Sequence, residues 1–189
     1  MPKKILQKDE GVLRKMAEEV LISDITKTKI QKILKEMSVA LKSQFDGVAI
    51  AAPQIGYLLQ IFVVSGKIFA KDFTGKKEEE ILLNENNTVG KIEEEIPKDL
   101  VFINPKISKL SQQKEWVPEG CLSVRPLYGK TFRSKKATVT AYDENGKKFT
   151  RGASGLLAQI FQHETDHLKG ILFIDHAVDI KEEEIGHKK

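Results

Sequence analysis

Leu156-Leu157-Ala158-Gln159-Ile160-Phe161-Gln162-His163-Glu164-Thr165-Asp166-His167-Leu168 decides the reading of this chain. Leu156, Leu157, Ile160, Phe161 and Leu168 recur at helical spacing after Ser154, and Gly170 supplies a stop, so the stretch predicts an amphipathic helix. Its second half holds His163-Glu164-x-x-His167. Two histidines four apart project from one helix face, so both imidazoles reach a single divalent ion while Glu164 faces the ion's open position. That layout belongs to metal-assisted hydrolysis.

A catalytic site of this kind needs three protein ligands and one open position. Downstream, Phe173 stands where a third histidine would be expected, leaving His176 and the charged cluster Glu182, Glu183 and Glu184. His176 follows a predicted strand over 171–174, and the glutamates belong to a short solvated tail. Upstream stands the chain's one cysteine, Cys121, inside Glu119-Gly120-Cys121-Leu122-Ser123. A lone cysteine is often a small buried hydrophobe, but beside His-Glu-x-x-His it is the best candidate for the third ligand. Pro118 restricts the entry to its turn, and Gly120 permits close backbone approach.

Elsewhere, Ile30, Ile33, Leu34, Met37, Ala40 and Leu41 predict a second amphipathic helix, starting after Ser23-Asp24-Ile25-Thr26 and ending near Asp46-Gly47. Ile61 to Val64 and Leu100 to Ile103 read as buried strands, the latter closed by Asn104-Pro105. Ala137 to Tyr142 and Lys147 to Thr150 flank Asp143-Glu144-Asn145-Gly146, which predicts a hairpin. The segment 66–98 carries Lys76-Lys77-Glu78-Glu79-Glu80 and Glu93-Glu94-Glu95, and reads as an exposed, charged insertion between two core strands. The expectation is a single domain over 1–189, of α+β class, with antiparallel and mixed sheets packed around the central helix that carries the motif.

At 189 residues, 40% hydrophobic and 31% charged, the composition is that of an ordinary globular protein. No apolar run approaches the roughly 20 residues a membrane span requires, and no signal peptide is evident, so a cytoplasmic protein is expected. The net charge of +4 is spread among interleaved acidic residues and marks no nucleic-acid site.

Three segments in order resemble the peptide deformylase family: Gly47-Val48-Ala49-Ile50-Ala51-Ala52-Pro53-Gln54, then Glu119 to Ser123, then Gln162 to Leu168. The similarity extends to Phe102-Ile103-Asn104-Pro105, to Tyr128-Gly129 with Arg133, and to Gly170 through Asp175. The resemblance implies an enzyme that removes the formyl group from N-formylmethionine on nascent polypeptides. It implies Cys121, His163 and His167 as ligands of one divalent ion, naturally Fe(II), with zinc, nickel or cobalt tolerated. Glu164 would move the proton, while the Gln54 amide and the Leu122 backbone N–H would steady the oxygen that gains charge.

Ile160 and Leu156 precede His163 by three and seven residues and so share its face, next to the metal. By resemblance, Val48 and Val117 complete an apolar pocket for methionine, with Ala49, Ile50 and Gly120 beside the substrate backbone. Glu119 and Asp166 are expected to orient ligands or neighbouring loops, or to be exposed charges. Ala49 stands where the family usually has a second glycine, and the tail ends without the long helix some members use at the ribosome.

Overall fold

The computed structural model describes residues 1–70 and 97–182. Among these, a five-stranded sheet has the order β1-β2-β3-β6-β7 and a three-stranded sheet the order β4-β5-β8, with every neighbouring pair antiparallel. The strands are β1 (Ala49–Ala51), β2 (Ile61–Val64), β3 (Leu100–Leu110), β4 (Lys114–Gly120), β5 (Leu127–Ser134), β6 (Lys136–Tyr142), β7 (Lys148–Ser154) and β8 (Val178–Glu182). Two α-helices accompany them, α1 (Thr28–Lys42) and α2 (Gly155–Leu168). None is long and apolar enough to cross a membrane among the described residues.

Around β1 and β2 the large sheet is covered on both faces, which is why these strands lack a polar alternation, whereas β6 keeps one. Ile50, Ile61, Val63 and Ile103 join Ile30, Ile33, Met37 and Leu41 of α1 in one core. Their immediate neighbours Ala49, Ala51, Phe62, Val64 and Phe102 point the other way, onto Ala158, Ile160, Phe161 and Leu168 of α2. The Phe102 ring lies 4.5 Å from Phe62 and 5.1 Å from Phe161, centroid to centroid. Burying side chains of this size stabilises the fold by about 1.5–3 kcal/mol each. A third cluster, Leu13, Val124, Leu172 and Phe173, closes around Cys121.

The helix expected before Gly47 ends at Lys42, and the chain turns through Ser43 to Asp46 before β1. Asn104-Pro105 does not close its strand. Asn104 takes φ 50° at a register shift, and β3 continues beyond it to Leu110. The Asn104 amide secures the irregularity, its oxygen accepting from Val20 N (2.8 Å) and its nitrogen donating to Val20 O (2.7 Å). The strand expected over 171–174 is a 3₁₀ turn, Phe173–Asp175, stapled by the Leu172 N–H donating to the Asp175 carboxylate at 2.9 Å. Consecutive apolar residues there fill one cluster rather than line a sheet.

Of the segment 66–98 expected as an insertion, only its two ends lie within the described residues. Gly66–Phe69 forms a 3₁₀ turn whose glycine is buried so closely against Pro97 that no side chain fits. The remainder of that segment, 71–96, lies outside the described residues, as do Glu183 and Glu184.

Candidate metal centre and active site

The three elements that meet at the site are α2, the turn after β4 and the 3₁₀ turn Ala52–Ile55 after β1. Helix α2 is central in the literal sense: from Ile160 to Thr165 every residue is buried. His163 and His167 stand within it at 9% and 1% exposure. Their Nε2 atoms are 3.2 Å apart, and Cys121 Sγ is 3.2 Å from His167 Nε2. One ligand atom from each of the three lies within 4.8 Å of the others. His176 and Glu182 are exposed and outside this cluster.

A thiol and two imidazoles facing one point suit a divalent ion that takes nitrogen and sulfur donors. His163 meets a further requirement, because its Nδ1 is held by Glu119 Oε1 at 2.7 Å, which turns Nε2 toward the cluster. Burial would push His163 down, but its neighbours Cys121 and Glu119 prevail and hold it well above the ordinary histidine value. Burial and the charge on His163 drive His167 well below it.

Glu119 is the hub of a buried network. Its carboxylate accepts from Thr131 Oγ1 (2.6 Å) and from Arg133 Nε (3.1 Å) and Nη2 (2.7 Å). Arg133 Nη1 donates to Asp166 at 2.6 Å. Against the cost of burial, the hydrogen bonds from His163 and Arg133 hold Glu119 far below the usual carboxylate range. Asp166 therefore anchors Arg133, and neither acid is a free surface charge.

Glu164 has the opposite surroundings. It is 3% exposed, its Oε2 has no hydrogen-bond partner, and it opens onto the pocket. Burial first, then the negative charges of Glu119 and Asp166, raise it to about 7 against the pull of His163.

Gln54 is oriented by the backbone. The Ala51 N–H donates to its Oε1 at 2.7 Å, so its amide nitrogen must point inward, 3.1 Å from Ser123 Oγ and 3.5 Å from Cys121 Sγ. The pocket above has a volume near 270 Å³ and is lined by Val48, Ala49, Gln54, Gly120, Cys121, Leu122, Leu156, Ile160, His163 and Glu164. Two expected contacts are absent from that lining. Ile50 points through the sheet into the α1 core, because strand neighbours alternate faces. Val117 is half-buried on β4.

Four residues of the site went unread in the sequence. Thr131 touches Glu119, Gln159 donates to Pro118 O at 2.8 Å, and Asp46 pairs with Arg125 across the pocket mouth. Gln159 was accessible to helical spacing, four residues before His163; the others needed the strand pairing of β4 with β5 or a loop contact.

A His-Glu-x-x-His helix whose imidazoles converge with a thiol on the floor of a pocket defines a metal-dependent hydrolase. The polypeptide deformylase family model matches residues 2–183. Peptide deformylase 2 of Clostridium acetobutylicum is 41% identical over 170 residues, covering 90% of this chain and 91% of that protein. The crystal structure of a peptide deformylase from Legionella pneumophila superposes with TM-score 0.71 at 32% identity, over 95% of this chain and 88% of that one. One from Synechococcus elongatus gives 0.70 at 31%, over 94% and 80%. The chain belongs to the polypeptide deformylase family, metal-dependent hydrolases that remove N-terminal formyl groups.

Proposed function

We propose that this chain, as a single catalytic domain working in the cytoplasm, hydrolyses the formyl amide of N-formylmethionyl nascent polypeptides and releases formate. The observation that carries this reading is the convergence of Cys121, His163 and His167 beneath a pocket onto which Glu164 and Gln54 both open. Those three residues would hold the ion: Fe(II) in the cell, with zinc, nickel or cobalt as substitutes, since thiolate and imidazole accept several divalent metals. When bound, such an ion acts as a Lewis acid, polarising the formyl carbonyl and lowering the pKa of water.

The chain's own groups supply the rest. Glu164 takes the proton from the attacking water and returns it to the leaving amine, a task suited to a carboxyl raised toward neutrality. The Gln54 amide, its direction fixed by Ala51, donates to the formyl oxygen as the carbon becomes tetrahedral, and the Leu122 backbone N–H is the second donor. Glu119 holds the His163 ring in the tautomer that leaves Nε2 for the metal. Val48, Ala49, Leu156 and Ile160 offer the methionine side chain an apolar wall, with Gly120 beside the substrate backbone.

The test is formate release from a short formyl-Met peptide by protein loaded anaerobically with Fe(II) or with Ni(II). Turnover that disappears in Glu164→Gln while the metal stays bound supports the assignment. Metal-loaded wild type that leaves the peptide intact overturns it.

A further inference from the structure

On the outer face of the small sheet, Trp116 and Phe132 are 52% and 50% exposed. They are register partners on β4 and β5, with ring centroids 5.2 Å apart and Lys114 Nζ 5.9 Å from the Phe132 ring centre. Contiguous exposed apolar surface marks interaction sites, and Trp is among the side chains enriched where binding energy concentrates.

Strand alternation ties the pair to the active site. Trp116, Pro118 and Gly120 share one face of β4, and their partners Phe132, Lys130 and Tyr128 share the same face of β5. Pro118, Gly120 and Tyr128 already line the pocket, and Tyr128 packs over Gly120. Pro118 on β4 thus joins the pocket wall to the aromatic pair, with Lys130, paired to Asp179, beside it on β5. Moreover, β4 is the edge strand of its sheet among the described residues, and it leads directly into Cys121. A polypeptide whose formyl end lies at Cys121 and which leaves along that edge travels back past Pro118 toward Trp116. Strand residues advance about 3.4 Å each, so Trp116 stands roughly 14 Å from Gly120, a span that extended substrate covers in about four residues.

We propose that the Trp116–Phe132 face extends the substrate site, receiving an apolar or aromatic side chain at about the fifth residue of the formylated polypeptide. The inference rests on the deformylase reading above. Lys114 borders the platform, while Lys130 is paired with Asp179, so the Lys114 ammonium disfavours a basic side chain there.

The experiment compares formyl-Met-Ala-Ser, formyl-Met-Ala-Ser-Ala-Phe-Ala and the same hexapeptide with Lys at position five, on nickel-loaded protein. The Phe hexapeptide should exceed the tripeptide in kcat/KM by about tenfold, the scale of one well-packed aromatic contact, and the Lys hexapeptide should lose that gain. In Trp116→Ala the ratio of hexapeptide to tripeptide should fall to about one. Since the chain has a single tryptophan, binding of the Phe hexapeptide to Glu164→Gln protein should also shift Trp116 fluorescence, while the tripeptide should not. Equal kcat/KM for all three peptides with no fluorescence change overturns the extended site. So does concentration-dependent dimerisation abolished by Trp116→Ala, which would assign the face to a second copy. Failure to cleave even the tripeptide would instead overturn the deformylase reading.

Discussion

Two buried polar regions meet at His163, and they are built in opposite ways. On one side, Glu119, Thr131, Arg133 and Asp166 satisfy one another with bonds of 2.6–3.1 Å. On the other, Glu164 Oε2 and His167 Nδ1 are buried with no hydrogen-bond partner among the described residues. A saturated network fixes geometry and resists protonation, whereas an unsatisfied buried carboxyl is held at a high pKa and stands ready to exchange a proton. On the proposed reading the labour is divided: the first region fixes the His163 ring, and the second would move the proton, at a cost in stability.

The comparison is most sharply tested at Glu164. Glu164→Gln should lower turnover by about 10³-fold or more, within the range of lost general acid–base catalysis, while metal content by mass spectrometry is kept. Urea unfolding of that variant should show stability equal to or above wild type, because a poorly solvated carboxyl has been removed. A loss of several kcal/mol would erase the contrast between the two regions.

Arg133→Met should give the reverse pattern. Leaving Glu119 and Asp166 without their shared cation should destabilise the fold by about 3–5 kcal/mol in urea, because the stranded charges are buried. Residual turnover should track the fraction folded.

Acid should act through Glu119 in the metal-free protein. Its folded pKa is depressed, so its contribution is present above the unfolded value of about 4.3 and is lost as pH falls below it. Wild type should therefore lose more stability than Glu119→Gln between pH 5 and pH 3 in chemical denaturation, at about those values. Parallel curves would mean the network does not protect this carboxylate. The smallest effect belongs to Thr131→Val, which removes one donor to Glu119 and should cost about 1 kcal/mol.

Much of this was legible locally. The 3.6-residue period of α2, its histidines four apart and the hairpin turn at Asp143 to Gly146 depend on neighbours in sequence, and each appears where expected. Strands β4 and β5 left no comparable pattern, since Pro118, Gly120 and Gly129 interrupt them and their buried face carries Glu119, Thr131 and Arg133. Arg133 could be placed by family resemblance, but not its two carboxylate partners, which lie 14 and 33 residues away.

By itself, then, the sequence determined the helix, the donor types and the reaction class, because side-chain chemistry and helical periodicity are properties of short segments. Only the tertiary structure decided which acid is paired and which is left protonatable, that Ile50 turns away from the pocket, and that Trp116 faces outward in line with it. Those outcomes depend on which strands pair and in what register. A shift of one residue would exchange every inward side chain for an outward one.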